Sequence, residues 1–303
     1  MAEWSLPRED LGLRLHAAPT ASGGTDSGAG GTDSGAGGCH DAGARPGGRE
    51  RAPIAAEAFR PLPHERAQDG AARLRSKLRR TADLQFGSIR RDLAQLLPRV
   101  RGVLADVGAG AQPFRDLLSS DVRYIAVDSE DAERQFGYRT PDTRYFHGPS
   151  LPLADAEATT ILCTETLEHV RDTVPFLAEL RRALAPGGLL ILTVPFAARW
   201  HYVPQDFWRF TPAALDYVLK AAGFREVRVY ARGGALAVAC YKVLGFILLM
   251  LLGGGQRGMV AFFCGAAGVV LMPVALLAVT LGNVGLRFPE STDDTLGYTV
   301  LAC

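Results

Sequence analysis

From residue 101 onward, short apolar runs alternate with stretches in which apolar residues recur every three or four positions. The runs at 103–107, 123–127, 160–164 and 189–194 have strand length, with a weaker one at Arg144–His147. Strands that are apolar at nearly every position belong to parallel sheets covered on both faces. Between them, Pro113–Leu118 reads as a helix start. Val174–Ala185 reads as a full helix, with Phe176, Leu177, Leu180, Ala183 and Leu184 on one face and Pro186-Gly187-Gly188 as its stop. A helix over Pro212–Ala222, ended by Gly223, precedes a strand in GFREVRVYARG, and a last strand is expected at Leu296–Ala302. The alternation predicts an α/β fold with helices on both faces of the sheet.

Three segments break the pattern. Residues 1–58 carry GTDSGAG twice in tandem within a Gly/Ser/Ala/Pro-rich stretch and are expected to be a disordered tail. Residues 59–100 are basic and amphipathic: Arg66, Arg73, Arg75, Lys77, Arg79, Arg80, Arg90 and Arg91 interleave with Leu74, Leu78, Leu84, Ile89, Leu93, Leu96 and Leu97. They predict one or two helices with either a solvated basic face or a face for anionic membrane. Residues 235–289 fall between the last two predicted strands, and up to Gly282 their only charges are Lys242 and Arg257. They predict an inserted hydrophobic helical hairpin. Its half from Met259 to Leu281 is long enough to span a bilayer, with a kink at Pro273, whereas Lys242 near the middle of the first half would cost about 3 kcal/mol at a bilayer centre.

Composition adds limits more than directions. A chain of 303 residues, 48% apolar, can bury a large core, and a formal net charge of +1 gives no footprint of a nucleic-acid partner. Its five cysteines include no Cys-x-x-Cys pair. Cys163, Cys240 and Cys264 lie in apolar runs, so buried thiols in a reducing compartment are expected, without a metal centre. The polar N-terminus shows no cleavable signal.

The candidate chemistry begins at VLADVGAG, Val103–Gly110. A strand breaking into Gly-x-Gly lets the backbone approach a ligand, and Asp128, ending the next strand, can accept both hydroxyls of a ribose. A dinucleotide fingerprint would place a third glycine at position 113. Proline stands there, suits a helix start and has no N–H for a diphosphate.

VLADVGAG, YIAVDSED, LPLADAEATTILCTETLEHV and ELRRALAPGGLLILTVPF, in this order, resemble the successive motifs of class I S-adenosylmethionine-dependent methyltransferases over Arg101–Gly234. HYVPQDFWRFTPAALDYVLKAAGF is similar to a bacterial, methyltransferase type 11-like subgroup associated with surface polysaccharides. The resemblance implies a Rossmann-like, seven-stranded methyltransferase sheet formed by 101–234 and 290–303, with the hairpin between its last two strands. It implies S-adenosylmethionine as cofactor, its methionine end against Asp106, Gly108, Ala109 and Gly110, its ribose on Asp128, and Thr164 and Glu165 lining the site. Three positions depart from the family pattern: Gln112 stands where many members have glycine, no acid occurs in His147–Ser150, and Thr159 replaces a common aspartate.

Methyl transfer requires alignment, exclusion of water and, for a hydroxyl acceptor, removal of a proton. His201, His169 and Asp206 are the candidate catalytic residues. His169 reads equally as a helix-entry residue, and His201 sits among Trp200, Tyr202, Trp208 and Arg209, a mixture suited to a ring-shaped acceptor. The expected acceptor is a hydroxyl or carboxylate of a glycan, lipid-linked sugar or lipid-like molecule. The expected place is the cytoplasmic face of a membrane held through 235–289, with Arg225, Arg228, Arg232 and Arg287 on that side. A soluble packing or dimerisation hairpin is the alternative. Two other functional readings stay open: a nicotinamide-dependent sugar-modifying enzyme, and a catalytically silent membrane scaffold of the same fold.

Overall fold

A computed structural model describes residues 80–131, 139–201, 205–252, 258–287 and 293–303. The expected tail, most of the basic segment, Tyr202 and Arg257 lie outside the described residues. The elements run α1 (Leu84–Leu96), β1 (Val103–Val107), β2 (Arg123–Ser129), β3 (Thr143–Phe146), β4 (Ala158–Thr164), α2 (Thr173–Ala183) and β5 (Leu184–Pro195). They continue through α3 (Pro212–Ala221), β6 (Val227–Arg232), α4 (Ala235–Leu251), α5 (Met259–Val270), α6 (Met272–Arg287) and β7 (Gly297–Ala302). The strands form one seven-stranded sheet in the order β3-β2-β1-β4-β5-β7-β6. β1 to β5 are parallel, while β7 runs antiparallel to both β5 and β6.

Alternation within the strands splits the core across the sheet. Ala105, Val107, Ile161, Cys163, Leu190 and Leu192 face Leu177 and Leu180 of α2 and Leu215 and Leu219 of α3. Leu104, Leu162, Leu189, Ile191 and Leu301 share a second cluster with Phe86, Ile89, Leu93 and Leu96 of α1. The helices on both faces are thus present as expected. α1 starts on Asp83, whose carboxylate accepts the Phe86 amide at 3.1 Å, and α3 on Thr211 followed by Pro212.

Two expected helix limits shift. Pro113–Leu118 forms only a single 3-10 turn, Arg115–Leu117, because the segment between Gln112 and the turn into β2 is too short to nucleate more. α2 ends at Ala183, and Pro186-Gly187-Gly188 lies in the irregular start of β5, where the register against β4 shifts between Ala158 and Thr160.

The insertion between β6 and β7 has three helices among the described residues, where the sequence predicts a two-part hairpin. The second part breaks beside Pro273: α5 and α6 are bent by 53°. No single described helix is long and apolar enough to cross a membrane, although the bent pair α5 and α6 together has the length and composition. α6 returns along α4, where an added Cβ on Gly282 would lie 2.5 Å from Leu84 and 3.1 Å from Cys240. Leu84 of α1 packs there with Ala237, Cys240, Ala278 and Leu286, so the insertion is wedged against α1. Lys242 donates to the carbonyl of Ala197 after β5, which ties α4 back to the sheet. The outer side is bare hydrocarbon, with Phe262 71% and Val270 77% exposed.

A buried acid holds α1 to the sheet. Asp92 accepts the hydroxyl of Thr299 at 2.7 Å. Burial pushes its carboxyl up to about 6, against the hydrogen bond from Thr299 and the charge of Arg232. Because the folded value lies above the unfolded one, the native state holds the extra proton between roughly pH 4 and 6, and stability falls as pH rises through that window. Asp92→Asn keeps an acceptor for Thr299 and removes the buried charge. Urea unfolding is expected to show it more stable by on the order of 2 kcal/mol near pH 8, with the gain vanishing toward pH 4.

Candidate active site

The site lies at the carboxyl ends of β1, β2 and β4, around a cavity of about 880 Å³. β1 ends in a turn whose first two amides, Gly108 and Ala109, both donate to the Val127 carbonyl at 2.9 and 3.2 Å. Gly108 has φ +76°, and a Cβ there would lie 2.1 Å from the hydroxyl of Thr166, so only glycine lets β1 and the post-β4 loop meet. The Gly110 amide donates to Asp128 Oδ2 at 2.9 Å and the Ser129 amide to Oδ1 at 2.8 Å. Asp128 lines the cavity at 8% exposure, and burial raises its pKa despite these two bonds. An ionised carboxylate has about four acceptor positions, so one on each oxygen remains for a diol.

The other predicted cofactor contacts divide. Gly108, Ala109, Gly110, Thr164 and Glu165 all line the cavity. Asp106 is not on its wall: its Oδ2 accepts the Tyr124 hydroxyl at 2.6 Å and the residue is 2% exposed. Burial, reinforced by the nearby Asp128 charge and opposed by Tyr124, pushes Asp106 up to about 7. Glu165 stands at φ +46° and directs its carboxylate to Arg232 at 2.8 Å. Arg232, expected on a membrane-facing side, is instead 2% exposed inside the protein. Gln112 stands where the backbone itself favours glycine. It is buried at φ +54°, a left-handed conformation costing roughly 1 kcal/mol for a residue with a side chain, and is held by Arg115 at 3.0 Å.

The predicted catalytic trio does come together, but only His169 lines the cavity. The rings of His169 and His201 meet edge-on with centroids 5.1 Å apart. His169 Nδ1 lies 2.8 Å from the Gln205 carbonyl, which fixes the proton on Nδ1. Burial, with the neighbouring His201 adding to it and Gln205 opposing, lowers His169 to about 4, so its ring is neutral at physiological pH. Asp206 accepts the His201 amide at 2.8 Å and is forked by Arg209 at 2.6 and 2.8 Å. Burial works against its ionisation, yet Arg209 prevails and holds it below the ordinary carboxylate range. Trp208 donates to the Val170 carbonyl at 2.9 Å and stacks on Phe210; neither it nor Trp200 borders the cavity. The sequence did not mark Phe86 and Ile89 as cavity wall, since they arrive from α1 ahead of the motifs; the other wall residues it missed include Thr166 and Phe176.

The strand order decides the type of site. A dinucleotide-binding sheet runs 3-2-1-4-5-6, whereas here an antiparallel β7 is inserted between β5 and β6. Residues 105–192, which run from within β1 to within β5, match the family described as Methyltransferase domain. That stretch of the chain is similar to a methyltransferase domain. A domain of that kind implies S-adenosylmethionine as its cofactor.

The domain is also similar to a Mycolicibacterium smegmatis protein described as a probable S-adenosylmethionine-dependent methyltransferase, 29% identical over 94 residues. That match covers 30% of this chain, and the chain spans only 37% of that relative's length. Among solved structures, a SAM-dependent methyltransferase from Archaeoglobus fulgidus aligns over 77% of this chain and 99% of its own, at 14% identity and a TM-score of 0.43. Phosphoethanolamine N-methyltransferase 2 of Haemonchus contortus, solved with S-adenosyl-L-methionine, aligns over 71% and 51%, at 13% identity and a TM-score of 0.43. The residues of the cavity fit S-adenosylmethionine: an acid for a diol, a turn with only the Ala109 methyl between its two glycines, and apolar walls from Phe86, Phe146 and Phe176.

Proposed function

We propose that the chain is an S-adenosylmethionine-dependent methyltransferase acting on a hydroxyl or carboxylate of a glycan, lipid-linked sugar or lipid-like acceptor at a membrane surface. The observation that carries this reading is the placement of α1. Its Phe86 and Ile89 wall the cofactor cavity, while Leu84, in the same helix, is buried in the insertion whose outer side is exposed hydrocarbon. An apolar surface of this kind needs cover, and here it adjoins the wall of the site.

The bound cofactor supplies a methyl group activated on a sulfonium. Asp128 holds the ribose, Gly108 and Gly110 let the backbone close on the methionine end, and Thr164 and Glu165 shape the opposite wall. Phe86, Ile89 and Phe176 exclude water. His169 is the member of the catalytic trio on the cavity wall and stands on the acceptor's side, neutral and oriented by Gln205.

The test is transfer of labelled methyl from S-adenosylmethionine to cell-envelope fractions, with and without phospholipid vesicles. Label in a glycan or lipid fraction bears the reading out; label confined to protein or nucleic acid overturns it. Membrane attachment is checked separately by vesicle co-sedimentation of the double substitution Phe262→Asp and Phe263→Asp. Both rings are exposed on α5, and losing them from the bilayer is expected to weaken partitioning by at least about tenfold.

A further inference from the structure

Glu168 sits beside the cavity as a fully buried carboxylate, 0% exposed, and neither of its oxygens has a hydrogen-bond partner among the described residues. Two cations near it are committed elsewhere: Arg209 forks Asp206, and Arg232 holds Glu165. A dry carboxylate countered by the charge of Arg209, itself already forked to Asp206, and repelled by Glu165 is strongly unfavourable.

What faces Glu168 is a second set of acceptors. His169 Nδ1 donates to the Gln205 carbonyl, which turns the Nε2 lone pair toward Glu168 Oε1 at 3.7 Å. His201 Nδ1 lies 3.0 Å from the Arg199 carbonyl and 3.4 Å from Asp206 Oδ2, so it too carries its proton on Nδ1 and presents Nε2. One ligand atom from each of Glu168, His169 and His201 lies within 4.8 Å of the others. A proton alone does not resolve this: 3.7 Å is too long for a hydrogen bond from a protonated Glu168 to His169.

We infer that Glu168, His169 and His201 bind a divalent transition-metal cation. Ligand bonds of about 2.0–2.2 Å place neighbouring ligand atoms roughly 3–4 Å apart, so a small contraction of the trio accommodates such an ion. Two imidazoles and one carboxylate favour zinc, iron, cobalt or manganese over magnesium or calcium. Each imidazole already donates its other N–H to a backbone carbonyl, the outer contact that metal-bound histidines use. His169 is a cavity residue, so the cation stands at the acceptor's side of the site, where it holds an acceptor oxygen and makes its hydroxyl more acidic. His169 then acts on the acceptor through the cation. This role rests on the methyltransferase reading proposed above; the site itself does not.

The test is titration of the full-length protein, stripped of metal with chelator, with Co²⁺ followed by its visible absorption and by competition with Zn²⁺. S-adenosylhomocysteine binding is measured on the same samples. One equivalent of Co²⁺ is expected, displaced by Zn²⁺ and weakened at least about tenfold by Glu168→Gln and by His201→Ala. His201 is off the cavity wall, so His201→Ala is expected to keep its S-adenosylhomocysteine affinity, which certifies its fold should Glu168→Gln not fold. Absence of stoichiometric Co²⁺ binding, or unchanged Co²⁺ affinity in His201→Ala, overturns the site. Co²⁺ binding without S-adenosylhomocysteine binding supports the site and overturns the methyltransferase reading; the converse does the opposite.

Discussion

Asp128→Ala is expected to lower the affinity for S-adenosylmethionine by about a hundredfold or more, from the loss of two hydrogen bonds to a charged acceptor at roughly 1.5–3 kcal/mol each. The carboxylate is placed for this by backbone alone: Gly110 and Ser129 amides each hold one oxygen, at 2.9 and 2.8 Å. Its own burial already disfavours the charge, as the raised pKa shows, so relief of that burial offsets the cost of leaving the Gly110 and Ser129 amides without this acceptor. The thermal midpoint is therefore expected to change little while binding is lost. Asp128→Asn sharpens the test, because an amide satisfies Gly110 only by turning its NH₂ against the Ser129 amide. Isothermal titration of both variants with S-adenosylmethionine reads the effect. Affinity unchanged in Asp128→Ala would place the ribose elsewhere and remove the main proposed contact.

The strands and the glycine turn were legible because the information is local. A parallel strand buried on both faces announces itself as a short apolar run, and all five runs up to β5 fall within the observed strands apart from His147, one residue past β3. The Gly-x-Gly turn and Asp128 are likewise set by neighbours along the chain. Helix limits were less legible. Pro113 marks a helix start, but nothing in AQPFRDLL says that the turn into β2 cuts it to a single 3-10 turn. Side-chain convergence was not legible at all. Glu168 and His169 are adjacent, yet their relation to His201 depends on the loop after β5 folding back so that the Phe207 amide reaches the Glu168 carbonyl at 2.8 Å. The charge rule that put Arg232 on a membrane-facing side failed for the same reason. A charge in a strand terminus reads as exposed unless its buried partner is known, and that partner, Glu165, lies 67 residues away.

Arg232 is consequently the residue whose loss is expected to cost the fold most. Its guanidinium bonds Glu165 at 2.8 Å, the Val194 carbonyl at 2.9 Å and the Ser88 hydroxyl at 3.0 Å, joining β6, β5, α1 and the cavity wall. The packing around it is close, since a Cβ on Gly297 would lie 2.3 Å from its terminal nitrogen. Arg232→Met fills much of the volume but leaves Glu165 without its cation and the Val194 carbonyl without its donor. Breaking a buried pair from one side costs about 3–5 kcal/mol, and because the Glu165 side chain is 26% exposed the lower part of that range is expected. Adding Glu165→Gln removes the stranded charge, so the double variant is expected to recover on the order of 1–2 kcal/mol relative to Arg232→Met. Denaturant unfolding of the two single variants and the double variant measures this coupling. If the double variant is no more stable than Arg232→Met, Arg232 acts through its packing and its bonds to Val194 and Ser88, not through the ion pair. If it recovers, the ion pair that holds Glu165 at the cavity wall is a stabilising element of the site, and the left-handed backbone at Glu165 is held in place by it.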